Sequence, residues 1–107
     1  MSQDVDWETV MRQLAERPRR RLLVSLLEDN PQADSVSVPG DVVVTEDEER
    51  ALQTEFVHVH LPRLAAAGFI EWDEEAHEVT KGPAFEDIRP VLELLHAHRD
   101  ELLDGWL

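Results

Sequence analysis

The chain has 107 residues, 24 of them acidic and 10 basic, and a formal net charge of −14. That length holds one small domain with a single core, and is too short for a nucleotide-binding unit joined to a substrate domain. Cysteine is absent, which excludes disulfide frameworks and cysteine-ligated zinc. The longest aliphatic-rich run, residues 22–27, is far too short to span a bilayer. The opening MSQDVDWE is acidic and lacks an apolar signal core, so a cytoplasmic protein is expected.

The acids run from position 4 to position 104 rather than forming a tail, and nine of the ten basic residues are arginine, Lys81 being the only lysine. Apolar residues make up 42% of the chain, so low hydrophobicity does not force disorder. Acid spread over a foldable chain suggests work in concentrated salt, where self-repulsion is screened to within a few ångströms. An ordinary acidic protein is the alternative.

Residues 6–16 read as a first helix, with Trp7, Val10, Met11 and Leu14 at helical spacing, Asp4 or Asp6 as its cap and Pro18 as its breaker. A second helix is expected over 19–29, turning Leu22, Leu23, Leu26 and Leu27 inward and ending at Asn30-Pro31. Residues 35–38 alternate like a short strand, Pro39-Gly40 marks a turn, and residues 42–44 continue an extended segment. Thr45-Glu46-Asp47-Glu48 fits a capping box. The helix it opens runs toward Ala67, is kinked or divided by Pro62, and ends at Gly68, a residue suited to the left-handed position after a helix. Residues 69–72 and 77–80 form a hairpin around a four-residue loop. A terminal helix over 85–103 aligns Ile88, Leu92, Leu95, Leu102 and Trp106, with Pro90 near its first turn.

The order of two helices, a strand, a long helix, a hairpin and a final helix is that of a winged helix. The run His60-Leu61-Pro62-Arg63-Leu64-Ala65-Ala66-Ala67-Gly68-Phe69-Ile70 resembles the recognition helix and wing entry of ArsR-like winged helix-turn-helix regulators. The longer VHVHLPRLAAAGFIEWD, with the earlier PRRRLL, is similar to a winged-helix domain family of halophilic archaea. The resemblance covers residues 6–82. It implies an α+β, mostly helical fold: a winged helix domain over 1–83 with an additional C-terminal helix over 84–107. It also implies a transcriptional regulator acting on double-stranded DNA.

On that reading the helix around residues 54–63 enters the major groove, and Gln53, Thr54, His58 and Arg63 face the bases. His77 and Lys81 on the wing reach phosphate. Arg17, Arg19, Arg20 and Arg21 supply backbone contacts at the start of the second helix, or else form a solvated or ion-paired face. Acids at Glu46, Asp47, Glu48, Glu49 and Glu55, and at Asp73, Glu74 and Glu75, depart from the DNA-binding pattern. They favour the alternative of a protein interaction module. In molar salt, counterion release drives binding little for any protein, which reduces the handicap.

Catalysis is not expected: GxSxG, P-loop, GxGxxG and HExxH motifs are missing. No cofactor is expected, and no metal site, since His58/His60 and His96/His98 are spaced to point apart on a helix. A homodimer is expected through the first and terminal helices, with Trp7, Ile88, Leu92, Leu95, Leu102 and Trp106 as its interface. The alternative is that the terminal helix folds back on its own core.

Overall fold

The computed structural model describes residues 5–35 and 43–107. Helix α1 (Trp7–Leu14) is capped by Asp6, whose carboxylate accepts from the backbone N–H of Thr9 at 2.8 Å. The other cap candidate, Asp4, lies outside the described residues. Helix α2 (Arg17–Glu28) begins two residues earlier than expected, because Pro18 opens it instead of merely ending α1. A proline in the first turn costs no hydrogen bond, since that N–H has no helical partner. Leu22, Leu23, Val24 and Leu26 are buried beneath α2.

The first strand, β1, is Gln32–Ala33, upstream of the expected position. Ser35 is an exposed bend, and residues 36–42, which carry the rest of the expected strand and the Pro39-Gly40 turn, lie outside the described residues. Helix α3 (Glu46–Glu55) opens with the full capping box: Thr45 Oγ1 accepts from the N–H of Glu48, and the Glu48 carboxylate accepts from the N–H of Thr45, each at 3.1 Å. A π-helical turn (Phe56–His60) follows, then helix α4 (Leu61–Ala66).

The axis is therefore altered before Pro62, not at it. Pro62 cannot donate, and its ring crowds the carbonyl four residues back. The wider π turn reaches from the N–H of Leu61 to the carbonyl of Phe56, five residues back, and accommodates that crowding. Helix α4 ends as expected at Gly68, φ +83°. The N–H of Phe69 reaches the Leu64 carbonyl at 3.1 Å and that of Gly68 the Ala65 carbonyl at 3.0 Å. This is a Schellman close, with Phe69 and Leu64 both fully buried.

Strands β2 (Ile70–Asp73) and β3 (Glu78–Lys81) form the hairpin, one residue later than expected. They pair antiparallel with Trp72 opposite Val79, and β1 adds to the far side of β3 with Gln32 opposite Val79. The sheet order is β1-β3-β2. Ile70 and Val79 face the core, while Glu71 and Asp73 face out. Gly82 lets the chain leave β3 tightly: a Cβ there would sit 2.5 Å from the Gly68 carbonyl oxygen and 2.7 Å from the Ile70 nitrogen.

Helix α5 (Phe85–Ala97) is shorter than expected, and Pro90 lies inside it rather than in its first turn. A single 3₁₀ turn (Arg99–Glu101) follows. Leu102 and Trp106 therefore do not continue a helical stripe. Phe85, Ile88 and Leu92 are fully buried in the same core as Leu23, Leu61, Phe69 and Val79. The terminal helix thus shares one core with α1, α2, α4 and the sheet. The described residues make an α+β unit of helices around a small three-stranded antiparallel sheet, and none of its helices is long and apolar enough to cross a membrane.

Candidate nucleic-acid interface

The continuous helical stretch of α3, the π turn and α4 buries Phe56, His60, Leu61 and Leu64, and leaves Thr54, Glu55, His58, Pro62, Arg63 and Ala66 exposed. Thr54, His58 and Arg63 thus lie on its outward side. Gln53 does not: it is half-buried, and its amide donates to the Asp34 carbonyl at 3.1 Å.

The inward side carries a polar network that ties three helices together. Arg19 and His60 are both buried, at 6% and 2% exposure. The Arg19 Nε–H donates to His60 Nδ1 at 2.9 Å, and its second nitrogen donates to the Arg12 carbonyl and Gln13 Oε1, both at 3.1 Å. With Nδ1 accepting, the His60 proton sits on Nε2, which donates to Glu55 Oε1 at 3.1 Å. Glu55 and His60 are five apart, a spacing that an α-helix would splay and the π turn aligns. Burial pulls the Arg19 guanidinium below its usual range, with Glu16 acting in the opposite sense. In this position Arg19 presents nothing to a phosphate; it joins α1 and α2 to the helix of His60.

The other arginines of the cluster face the C-terminal residues. Arg17 Nε donates to the Gly105 carbonyl at 3.1 Å. Arg20 donates to the carbonyls of Trp106 and Gly105, and to that of Leu14 at 2.6 Å. Arg21 donates to a main-chain oxygen of Leu107 at 3.0 Å. These three side chains hold residues 105–107 against α2; Arg17 remains exposed, and Arg20 and Arg21 are half-buried.

At the hairpin, Asp34 is the organising group, and nothing in its sequence surroundings marks it. Its carboxylate Oδ2 accepts from Trp72 Nε1 at 3.1 Å and from His77 Nδ1 at 3.3 Å, and its N–H donates to the His77 carbonyl at 3.0 Å. His77 adopts φ +57° and, with Nδ1 on Asp34, keeps a side chain that is 78% exposed. Lys81 is half-buried, with its ammonium 5.4 Å from the Phe85 ring centre. The loop between the strands is acidic and exposed: Asp73 accepts from the N–H groups of Glu75 and Ala76.

Of the expected interface residues on the flanking helices, Ile88 and Leu92 face the molecule's own core, while Leu95 and Trp106 pack half-buried against it. Leu102 is half-buried beyond the helix. Trp7 alone of that set is largely exposed, at 66%. Met11 and Leu94 are exposed too, and a groove of about 470 Å³ between α1 and α5 is lined by Val5, Trp7, Val10, Asp87, Pro90 and Val91. The exposed apolar positions of α5 therefore include Pro90 and Leu94, off the stripe read in the sequence, while Val91 is half-buried against the core. Among the described residues, no group of three or more His, Asp or Glu side chains is placed to hold a metal ion.

Residues 11–80 match the model of a family described as a domain of unknown function, DUF7344. The chain belongs to that family. The match begins within α1 and ends in β3, so it takes in α2, the π-turned helix, the Asp34 node and all four clustered arginines, but not α5. No curated protein and no solved structure matches the chain.

Proposed function

We propose that this DUF7344 chain is a winged-helix DNA-binding regulator of the cytoplasm, adapted to concentrated salt and acting as a homodimer. The observation that carries the reading is the outward side of the α3–α4 helix, where Thr54, His58 and Arg63 stand exposed immediately ahead of the β2–β3 hairpin. An exposed helix followed by a two-stranded wing, with a third strand on the wing's far edge, suits insertion into a major groove. Arg63 would pair with guanine and His58 with base edges or phosphate. His77, held by Asp34, would touch phosphate from the wing. The dimer would form through the face carrying Trp7, Met11 and Leu94.

A second reading is favoured by charge. Glu46, Asp47, Glu48 and Glu49 are exposed on the first turn of α3, and Glu71, Asp73, Glu74, Glu75 and Glu78 surround the hairpin. Such a surface suits a basic protein partner.

Selection of genomic fragments by the purified protein at several KCl concentrations, with sequencing of the retained DNA, separates the two. Enrichment of one palindromic site, lost in Arg63→Ala, is the expected result. Retention of no sequence by the folded protein at any salt would leave the interaction module.

A further inference from the structure

We propose that Gly105, Trp106 and Leu107 form a strap that masks a phosphate-binding arginine face on α2, and that it lifts when the domain grips duplex DNA. The proposal rests on the DNA-binding reading above. Arg17, Arg20 and Arg21 stand three and four residues apart, so they share one side of α2, apart from Arg19, which turns inward to His60. Arg17, which stays exposed, and Arg20, which is half-buried, meet the carbonyls of Gly105 and Trp106, more than eighty residues away in sequence, while Arg21 meets a main-chain oxygen of Leu107. The Gly105 and Trp106 carbonyl oxygens accept from Arg17 and Arg20 as phosphate oxygens would, but without full charge. Hydrogen bonds in which both partners are charged are roughly twice as strong as neutral ones. A phosphodiester is thus the better partner for the same donors.

The strap is built to be displaced. None of the fully buried core side chains comes after Leu92; Trp106 and Leu107 pack on the rim of that core, so lifting the strap uncovers its edge and not its centre. Trp106 and Leu107 are only half-buried, and the linking Leu103 is 87% exposed. The strap belongs to neither a helix nor a strand, and it turns at Gly105, φ +86°. A Cβ at Gly105 would stand 3.1 Å from the Arg17 guanidinium, so substitution there strains both the turn and its clasp.

The test uses the full chain and labelled duplex DNA over a salt series, with melting curves to confirm folding. Gly105→Val with Trp106→Ala should bind several-fold more tightly than the native chain. The slope of log K against log salt should steepen by about 1.8, the value for two added phosphate contacts, those of Arg17 and Arg20. Arg17→Gln with Arg20→Gln in that background should return the slope to the native one. Gly105→Ala alone, which disturbs only the turn, should move affinity the same way by a smaller factor, and stands in if the double variant fails to fold. Equal affinity and slope for native and strap variants would overturn the masking while leaving DNA binding intact. So would a gain that survives loss of both arginines. Absence of binding by every variant would overturn the DNA reading, and the strap would then be a structural clasp alone.

Discussion

Gly82 and the Arg19–His60 pair show how single positions govern this molecule. At Gly82 the obstruction to a side chain is backbone on both sides, from Gly68 and Ile70, and neither can retreat without opening the exit of α4 or the start of β2. Gly82→Ala should therefore cost about 3 kcal/mol, the upper end of ordinary overpacking. Denaturant titration should show the midpoint falling, and an unchanged midpoint would contradict the close approach. His60→Leu leaves the buried Arg19 Nε–H without its acceptor and should cost about 2 kcal/mol. Adding Arg19→Met should restore part of that loss, because the charge left unsatisfied is removed with its partner. Strict additivity of the two substitutions would show that they do not act as a pair. The Thr45 capping box was legible from four consecutive letters, whereas the inward turn of Arg19 was not. In the sequence, Arg19 is one of four similar arginines, and only the position of His60 on a distant helix distinguishes it.

At the scale of elements, acid would discharge two carboxylates that cap helix starts, Asp6 on α1 and Glu48 on α3, and a third, Glu86, that pairs with Arg89 within α5. The hydroxyl and then the N–H of Thr9 hold Asp6 below its usual pKa of 3.8. The backbone N–H and then the side chain of Thr45 hold Glu48 below 4.5, and the Arg89 guanidinium holds Glu86 below 4.5. A folded-state value below the unfolded one means that the unfolded chain binds more protons in the interval between them. The stability these groups supply is complete above about pH 4.5, and is lost as pH falls through the folded-state values. In melting curves across pH, Asp6→Asn, Glu48→Gln and Glu86→Gln combined should lower stability near neutrality and flatten the acid-side fall. A triple variant whose curve parallels the native one would contradict these assignments. Thr45→Ala, which removes the cap itself, should cost about 1 kcal/mol.

Local signals of this kind placed α1, α2, α3, the Schellman close at Gly68 and the hairpin within a residue or two. They failed where tertiary contacts decide. The π turn is a response to Pro62 and to the pairing of Glu55 with His60, and periodicity cannot register it. The sequence stripe of α5 ran on through Leu102 and Trp106, because apolar residues continue at helical spacing. The chain leaves the helix at Ala97 instead, and its end turns back to arginines at the opposite end of the sequence. Strand β1 at Gln32 and Ala33 could not be read from the sequence, because its register is set by pairing with Val79 and Glu78, not by its own alternation.

For the whole molecule, the net charge of −14 on 107 residues is the dominant field. Self-repulsion reaches about 10 Å at 0.1 M salt and about 3 Å at 1 M. The melting temperature should therefore rise steadily with KCl, and a flat profile would contradict a salt-adapted surface. The same screening lets two acidic copies approach. In sedimentation at high salt the chain should behave as a dimer that Trp7→Glu converts to monomers, while a native monomer at high micromolar concentration would rule out the proposed interface. The central claim is that the outward side of α3–α4 and the tip of the hairpin meet DNA, and amide chemical-shift mapping during titration with duplex DNA addresses it most directly. Shifts centred on Thr54, His58, Arg63 and His77 are the expected result. Saturation without movement at those positions, or no movement anywhere, would contradict it.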